Sequence, residues 1–187
     1  MRGMQKLVRD NPPNKLREIN HGKLRAMGIS EELTNAFLDN YKYDPYEETL
    51  LVGELETMKI EGRDAFLSRA DLATDKSTAL YFRTVAQMMG GYHRNIEPVQ
   101  AIHNTVGLLN LQRKNGGRVL LAPVDYVFWT EKLAAKVDDV EQALAKSSSV
   151  SSKEVWITGR FDEAARKEFE GRGWKVIENA EDKLMKK

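Results

Sequence analysis

The sequence predicts an α+β protein: a helical N-terminal bundle followed by a mixed α/β part. Up to about residue 97 the apolar residues recur at i, i+3, i+4 and i+7, the stripe of a helix. Beyond Pro98 the apolar runs shorten and are bounded by turn residues, the pattern of strands. The 187 residues are 41% hydrophobic and 30% charged, enough apolar surface for one large core or two small ones. The chain is therefore read as a helical part at 1–97 and a mixed part at 98–187. Within the second, the run Ser147-Ser148-Ser149-Val150-Ser151-Ser152 reads as a flexible connector.

The segment before Pro12 and Pro13 reads as an irregular lead-in. From Asn14, residues Leu16, Ile19, Leu24 and Met27 approximate a helical stripe, and Gly28 suits the left-handed position that closes a helix. Ser30 is placed to cap the next one, where Leu33, Ala36, Phe37 and Tyr41 share a face. Asp44-Pro45-Tyr46-Glu47 is the clearest local signal. Asp44 can cap, Pro45 suits a first-turn position that needs no N–H, and Glu47 can return to the N–H of the cap. Gly62 then separates a short helix carrying Ala65, Phe66, Arg69 and Ala70. Thr74 or Asp75 caps a longer helix with Phe82, Val85, Met89 and Tyr92 on one face. About five helices with short connections imply a compact antiparallel bundle.

In the second half, Val99–Thr105, Gly107–Arg113 and Arg118–Ala122 read as strands. Lys114-Asn115-Gly116-Gly117 between the last two reads as a hairpin, since Asn-Gly tolerates the positive φ angles of a type I′ turn. Residues Pro123 to Trp129 fit either a continued strand or a helical turn. Thr130 caps a helix whose Leu133, Val137, Val140 and Leu144 form a narrow stripe. A β-α-β unit follows: a strand at Val155–Thr158, a helix capped by Asp162 with Phe161, Ala165 and Phe169 inward, closure at Gly173, and a strand at Trp174–Ile177. The charged tail from Asn179 reads as frayed, with Leu184 and Met185 its only anchors.

Several chemistries lack their residues. The chain has no cysteine, so thiolate catalysis, zinc thiolate sites and disulfides are excluded. His21, His93 and His103 lie on separate elements without a partner at metal-ligand spacing, so no zinc and no other cofactor is expected. There is no G-x-S-x-G, Walker A loop or G-x-G-x-x-G. The acid pairs Glu31/Glu32, Glu47/Glu48 and Asp138/Asp139 read as solvated, the first two favoured by helix N-termini. His93 near a helix C-terminus reads as an imidazolium set against the dipole. A net charge of +1 supplies no field for nucleic acid. The basic excess at Lys6, Arg9, Lys15, Arg17, Lys23 and Arg25 reads as a solvated face. No run is long enough for a transmembrane helix, and the first residues lack the apolar core of a signal peptide. A soluble chain is expected.

One local geometry is nominated as a ligand site. Thr158-Gly159-Arg160 follows a strand and opens a helix, where N–H groups, the helix dipole and Arg160 could meet an anion. The alternative is a tight βα turn with a solvated arginine, because Asp162 and Glu163 compete for the same N–H groups. The segment Val155–Ile177, opening strand-Thr-Gly and closing Gly-Trp-Lys-Val, resembles the first β-α-β unit of BRCT phosphopeptide-binding domains. The Trp-bearing helix of that family has no counterpart in this chain, and no residue role is carried over. Aromatics at Tyr41, Tyr43 and Tyr46, at Tyr126, Phe128 and Trp129, and at Trp156 and Trp174 read as core or contact residues. These absences favour a non-catalytic binding or assembly protein with a protein partner. The alternative is an enzyme or phospho-ligand binder using the turn around Gly159.

Overall fold

A computed structural model describes residues 2–147 and 150–185; Ser148 and Ser149 of the connector lie outside them. Among these residues the chain begins with six helices: α1 (Arg2–Asp10), α2 (Pro13–Ala26), α3 (Glu31–Asp39), α4 (Pro45–Met58), α5 (Arg63–Ala70) and α6 (Lys76–Asn95). The lead-in is thus helical, a correction to the sequence reading. Too short to be stable alone, α1 is half-buried at Met4, which packs over Gly53 of α4. The caps follow the local signals. Ser30, Asp44 and Asp75 accept N–H bonds from Leu33 (3.2 Å), Glu47 (2.8 Å) and Thr78 (2.7 Å). The Glu47 carboxylate, however, pairs with Arg83 of α6 rather than returning to its own cap.

The second half supplies β1 (Val99–Thr105), β2 (Leu108–Arg113), β3 (Arg118–Ala122), β4 (Tyr126–Val127), α7 (Glu131–Ala145), β5 (Lys153–Ile157), β6 (Arg160–Phe161), α8 (Glu163–Gly171), β7 (Trp174–Ile177) and α9 (Glu181–Leu184). Five strands form one sheet in the order β1-β2-β3-β5-β7. The first three are antiparallel, and β3, β5 and β7 run parallel. The two-residue strands β4 and β6 pair separately. This is the α+β architecture the periodicity predicts.

The hairpin at Lys114–Gly117 forms, but without the type I′ turn expected of it. Lys114–Gly117 is a longer loop in which only Gly116 has positive φ. The tight turn joins β1 to β2, where Thr105 pairs with Leu108 and both intervening residues, Val106 (φ 48°) and Gly107 (φ 83°), are left-handed. A β-branched residue is strained in that region, so no propensity rule points to Val106.

The sheet is covered on both faces. Ile102, Leu111, Val119, Leu121 and Trp156 face the bundle and share its core with Phe82, Met89 and Tyr92. Val155, Ile157 and Trp174 face the other way, against Val137 and Val140 of α7 and Phe169 of α8. The tail is docked rather than frayed. Ala180 and Leu184 are fully buried, and Asn95 of α6 donates to the Leu184 carbonyl at 2.9 Å.

Polar groups are buried inside the bundle as well. Asn20, fully buried on α2, donates to Glu48 (2.7 Å) and Thr49 (3.0 Å) of α4. Glu48 is only 7% exposed, against the solvated reading of its acid pair. Burial raises its pKa above the ordinary 4.5, with Asn20 and Arg17 opposing.

Two measurements check this part of the fold. Asp44→Ala removes the cap of α4 and should cost about 1 kcal/mol, read as a lower denaturation midpoint at unchanged slope. Glu48→Gln keeps an acceptor for Asn20 and removes a buried charge. The raised folded pKa makes Glu48 favourable only at low pH, before it ionises. The variant should therefore melt higher than wild type near neutrality, and the gain should vanish as pH falls toward 4.5.

Candidate functional site

Strand alternation decides what faces α7. Val119 and Leu121 of β3 point to the bundle, so Leu120 and Ala122 point away from it, beside Val155 and Ile157 of β5. On α7, Thr130 caps the helix through the Leu133 N–H (3.1 Å), and Leu133, Val137 and Val140 face the sheet.

Polar ties from its middle turns hold this helix in place. Lys136 donates to the Val106 carbonyl of the β1–β2 turn. Further along, Glu141 accepts from Lys153 Nζ (2.8 Å) and Trp174 Nε1 (2.8 Å), and Arg172 pairs with Asp138 and Glu141.

Between the ties α7 and the sheet leave a cavity of about 280 Å³. It lies at the carboxyl ends of the parallel strands β3 and β5, where open α/β sheets place ligands. Phe82 and Val85 of α6 close its far side, and Val124 and Val127 of the segment before α7 close another. Its lining is aliphatic and aromatic apart from Arg69, Tyr81, Lys136 and the Trp174 indole, and it holds no carboxylate or imidazole.

No family model, curated protein or solved structure matches this chain. The site therefore rests on its own geometry.

The nominated turn lies at the same end of the sheet. Its flanking residues Ile157 and Phe161 line the cavity, while Thr158, Gly159 and Arg160 do not. The turn is stitched to the segment before α7. Gly159 N–H donates to the Val124 carbonyl (2.9 Å), Arg160 N–H to the Asp125 carbonyl (3.0 Å), and Thr158 Oγ1 to the Val124 carbonyl (3.1 Å). Phe161 N–H donates to Glu178 at 2.7 Å, and the Asp162 carboxylate accepts the Ala165 N–H at 2.6 Å. The N–H groups of Gly159 and Arg160 thus already donate within the fold. Gly159 lacks a positive φ. Glycine is required there because a Cβ would overlap the Asp125 carbonyl. The Arg160 side chain is exposed.

The histidines stay apart. His21 meets Glu31 (2.9 Å), His103 meets Gln112 (2.7 Å), and His93 Nδ1 accepts the Val99 N–H (3.1 Å). An imidazole that accepts there is neutral, which corrects the imidazolium reading. Burial lowers its pKa from 6.5, helped by Arg94 and Lys114. Among the described residues no three His, Asp or Glu side chains gather as a metal site. The acidic neighbours Asp138 and Asp139 are both exposed.

Most of the basic residues near the N-terminus meet acids: Arg9 with Asp10, Lys15 with Glu18, Arg17 with Asp39, Lys23 with Glu56 and Arg25 with Glu31. The aromatics divide. Tyr43 is buried and donates to the Ala70 carbonyl (2.8 Å), whereas Tyr41 is exposed. Trp156 and Trp174 lie on opposite faces of the sheet.

Sequence reasoning missed Arg69, Tyr81 and Lys136. They come from three helices distant along the chain, and no spacing links them. Arg118 was also missed as a buried charge. It is 8% exposed, its Nε lacks a partner among the described residues, and Asn110 lies 3.4 Å from its guanidinium.

The neutral His93 has a pH consequence. Its folded pKa is lowered, so its contribution is complete above 6.5 and is lost as pH falls below that value. Wild type should lose more thermal stability than His93→Gln between about pH 8 and about pH 5.5, since glutamine can still accept the Val99 N–H.

Proposed function

We propose that this chain is a non-catalytic binding protein that holds a small apolar molecule between its sheet and α7. The observation that carries the reading is the cavity. At about 280 Å³ it is nearly twice an engineered apolar cavity of about 150 Å³ that stays dry and accepts benzene. The pocket is partly open and almost wholly apolar, so an apolar ligand that enters it takes that surface out of water. The reading is non-catalytic because the lining pairs no nucleophile with a carboxylate or imidazole base.

A protein contact is supported by a separate observation. Tyr126 and Phe128 are 49% and 60% exposed, with ring centroids 4.6 Å apart. They lie on the segment whose Val124 and Val127 line the cavity. Exposed aromatics of this kind are enriched at protein interfaces. Phe128→Ser should weaken such an association and leave cavity binding unchanged.

The test of the main reading is a methyl NMR titration with 1-octanol. Saturable shifts are expected at Leu120, Val155 and Ile157. Leu120→Phe fills part of the space and should weaken binding several-fold while the protein remains folded. Shifts that never saturate, or that spread over the whole surface, would overturn it.

A further inference from the structure

We propose that the ligand of this cavity is an amphiphile with an anionic head, of the class of a medium-chain carboxylate, its head held by Lys136 and Arg69 at the β1–β2 turn. The inference rests on the cavity being a binding site and adds the chemical class of what it binds.

Three observations point to the charge. The lining contains two cationic side chains and no acidic one. Both cations converge on one turn: Arg69 Nε donates to the Gly107 carbonyl at 3.0 Å, and Lys136 Nζ donates to the Val106 carbonyl. Several other half-buried cations meet acids, as Arg83 does with Glu47, Arg113 with Glu97 and Arg172 with Asp138. Among the described residues neither Arg69 nor Lys136 has a carboxylate within 4.0 Å. Their present partners are neutral carbonyls. A carboxylate makes a shorter and roughly twice as strong hydrogen bond to a cation, so exchanging one partner for the other favours an anionic head.

Tyr81 supplies a third group beside Arg69. Its hydroxyl has no hydrogen-bond partner among the described residues, and burial keeps it protonated against the opposing charge of Arg69. It can donate to the same head. The β1–β2 turn is a fitting place for the exchange, because Val106 sits exposed at a positive φ and its carbonyl is solvated readily once released.

The rest of the cavity fits the tail. The lining beyond the cations is Leu120, Val140, Val155 and Phe169 among other apolar side chains, which suits an alkyl chain and offers no partner to a second polar group.

The test compares octanoate with 1-octanol on the intact protein near neutral pH, by calorimetry and by methyl NMR. The two probes share a tail and differ in the head. Octanoate should bind about tenfold or more tightly than octanol, and its advantage should shrink as salt is added. Lys136→Met should remove most of that preference while leaving octanol binding in place, and Lys136→Arg should retain it. Arg69→Met should act likewise, and if it unfolds the chain, the Lys136 pair alone decides. Equal affinity of wild type for both probes, or a preference that survives in Lys136→Met, overturns the anionic head and leaves the apolar cavity reading standing. Saturable binding of neither probe overturns both.

Discussion

The five-stranded sheet is apolar on both faces, and a sheet of that kind must be covered twice. In β3 and β5 alternation sends Val119, Leu121 and Trp156 one way and Leu120, Val155 and Ile157 the other. The bundle covers the first side with α6, a helix long enough to span the strands and to receive α9 at its end. The second side is left to two shorter helices, α7 and α8. Coverage there is incomplete, and the cavity sits beside the aliphatic stripe of α7 where it packs on the strands.

Polar ties supplement the packing of α7 on the sheet. Burial alone would raise the pKa of Glu141, yet hydrogen bonds from Lys153, Trp174 and Arg172 and the charge of Lys153 hold it below the ordinary carboxylate range. The same contacts fix the helix against β5, β7 and the end of α8. Nearer its start Lys136 donates to a carbonyl of the β1–β2 turn. This hydrogen bond and the ion pairs at Asp138 and Glu141 tie the middle turns of the helix to its surroundings. The closeness of Lys136 to Arg69 follows from that geometry. The Thr158–Arg160 turn helps frame the same end of the sheet through its bonds to the segment before α7.

Local chemistry made much of the fold legible. The caps at Ser30, Asp44, Asp75, Thr130 and Asp162 all form, because each is a contact between a side chain and an N–H three residues away. The parallel β-α-β unit was legible for the same reason, its period changing within one short segment. Where a distant partner took part, reading failed. Nothing local announces that Met4 will pack over Gly53, that Leu184 will be buried against α6, or that Glu47 will leave its cap for Arg83. Val106 is the sharpest case, since its left-handed turn runs against its own propensity and is held by the strands on either side.

The sequence by itself determined the fold class, most helix starts, the strand order within the hairpins and the absence of thiol chemistry. These depend on side-chain period, on caps and on residue inventory, all of which act over a few positions. The tertiary structure alone decided the site. Arg69, Tyr81 and Lys136 lie on α5, α6 and α7, and a cavity is a property of how far apart packed elements stand. That separation depends on long-range packing and on ties such as Glu141 to Trp174, which no window along the chain contains.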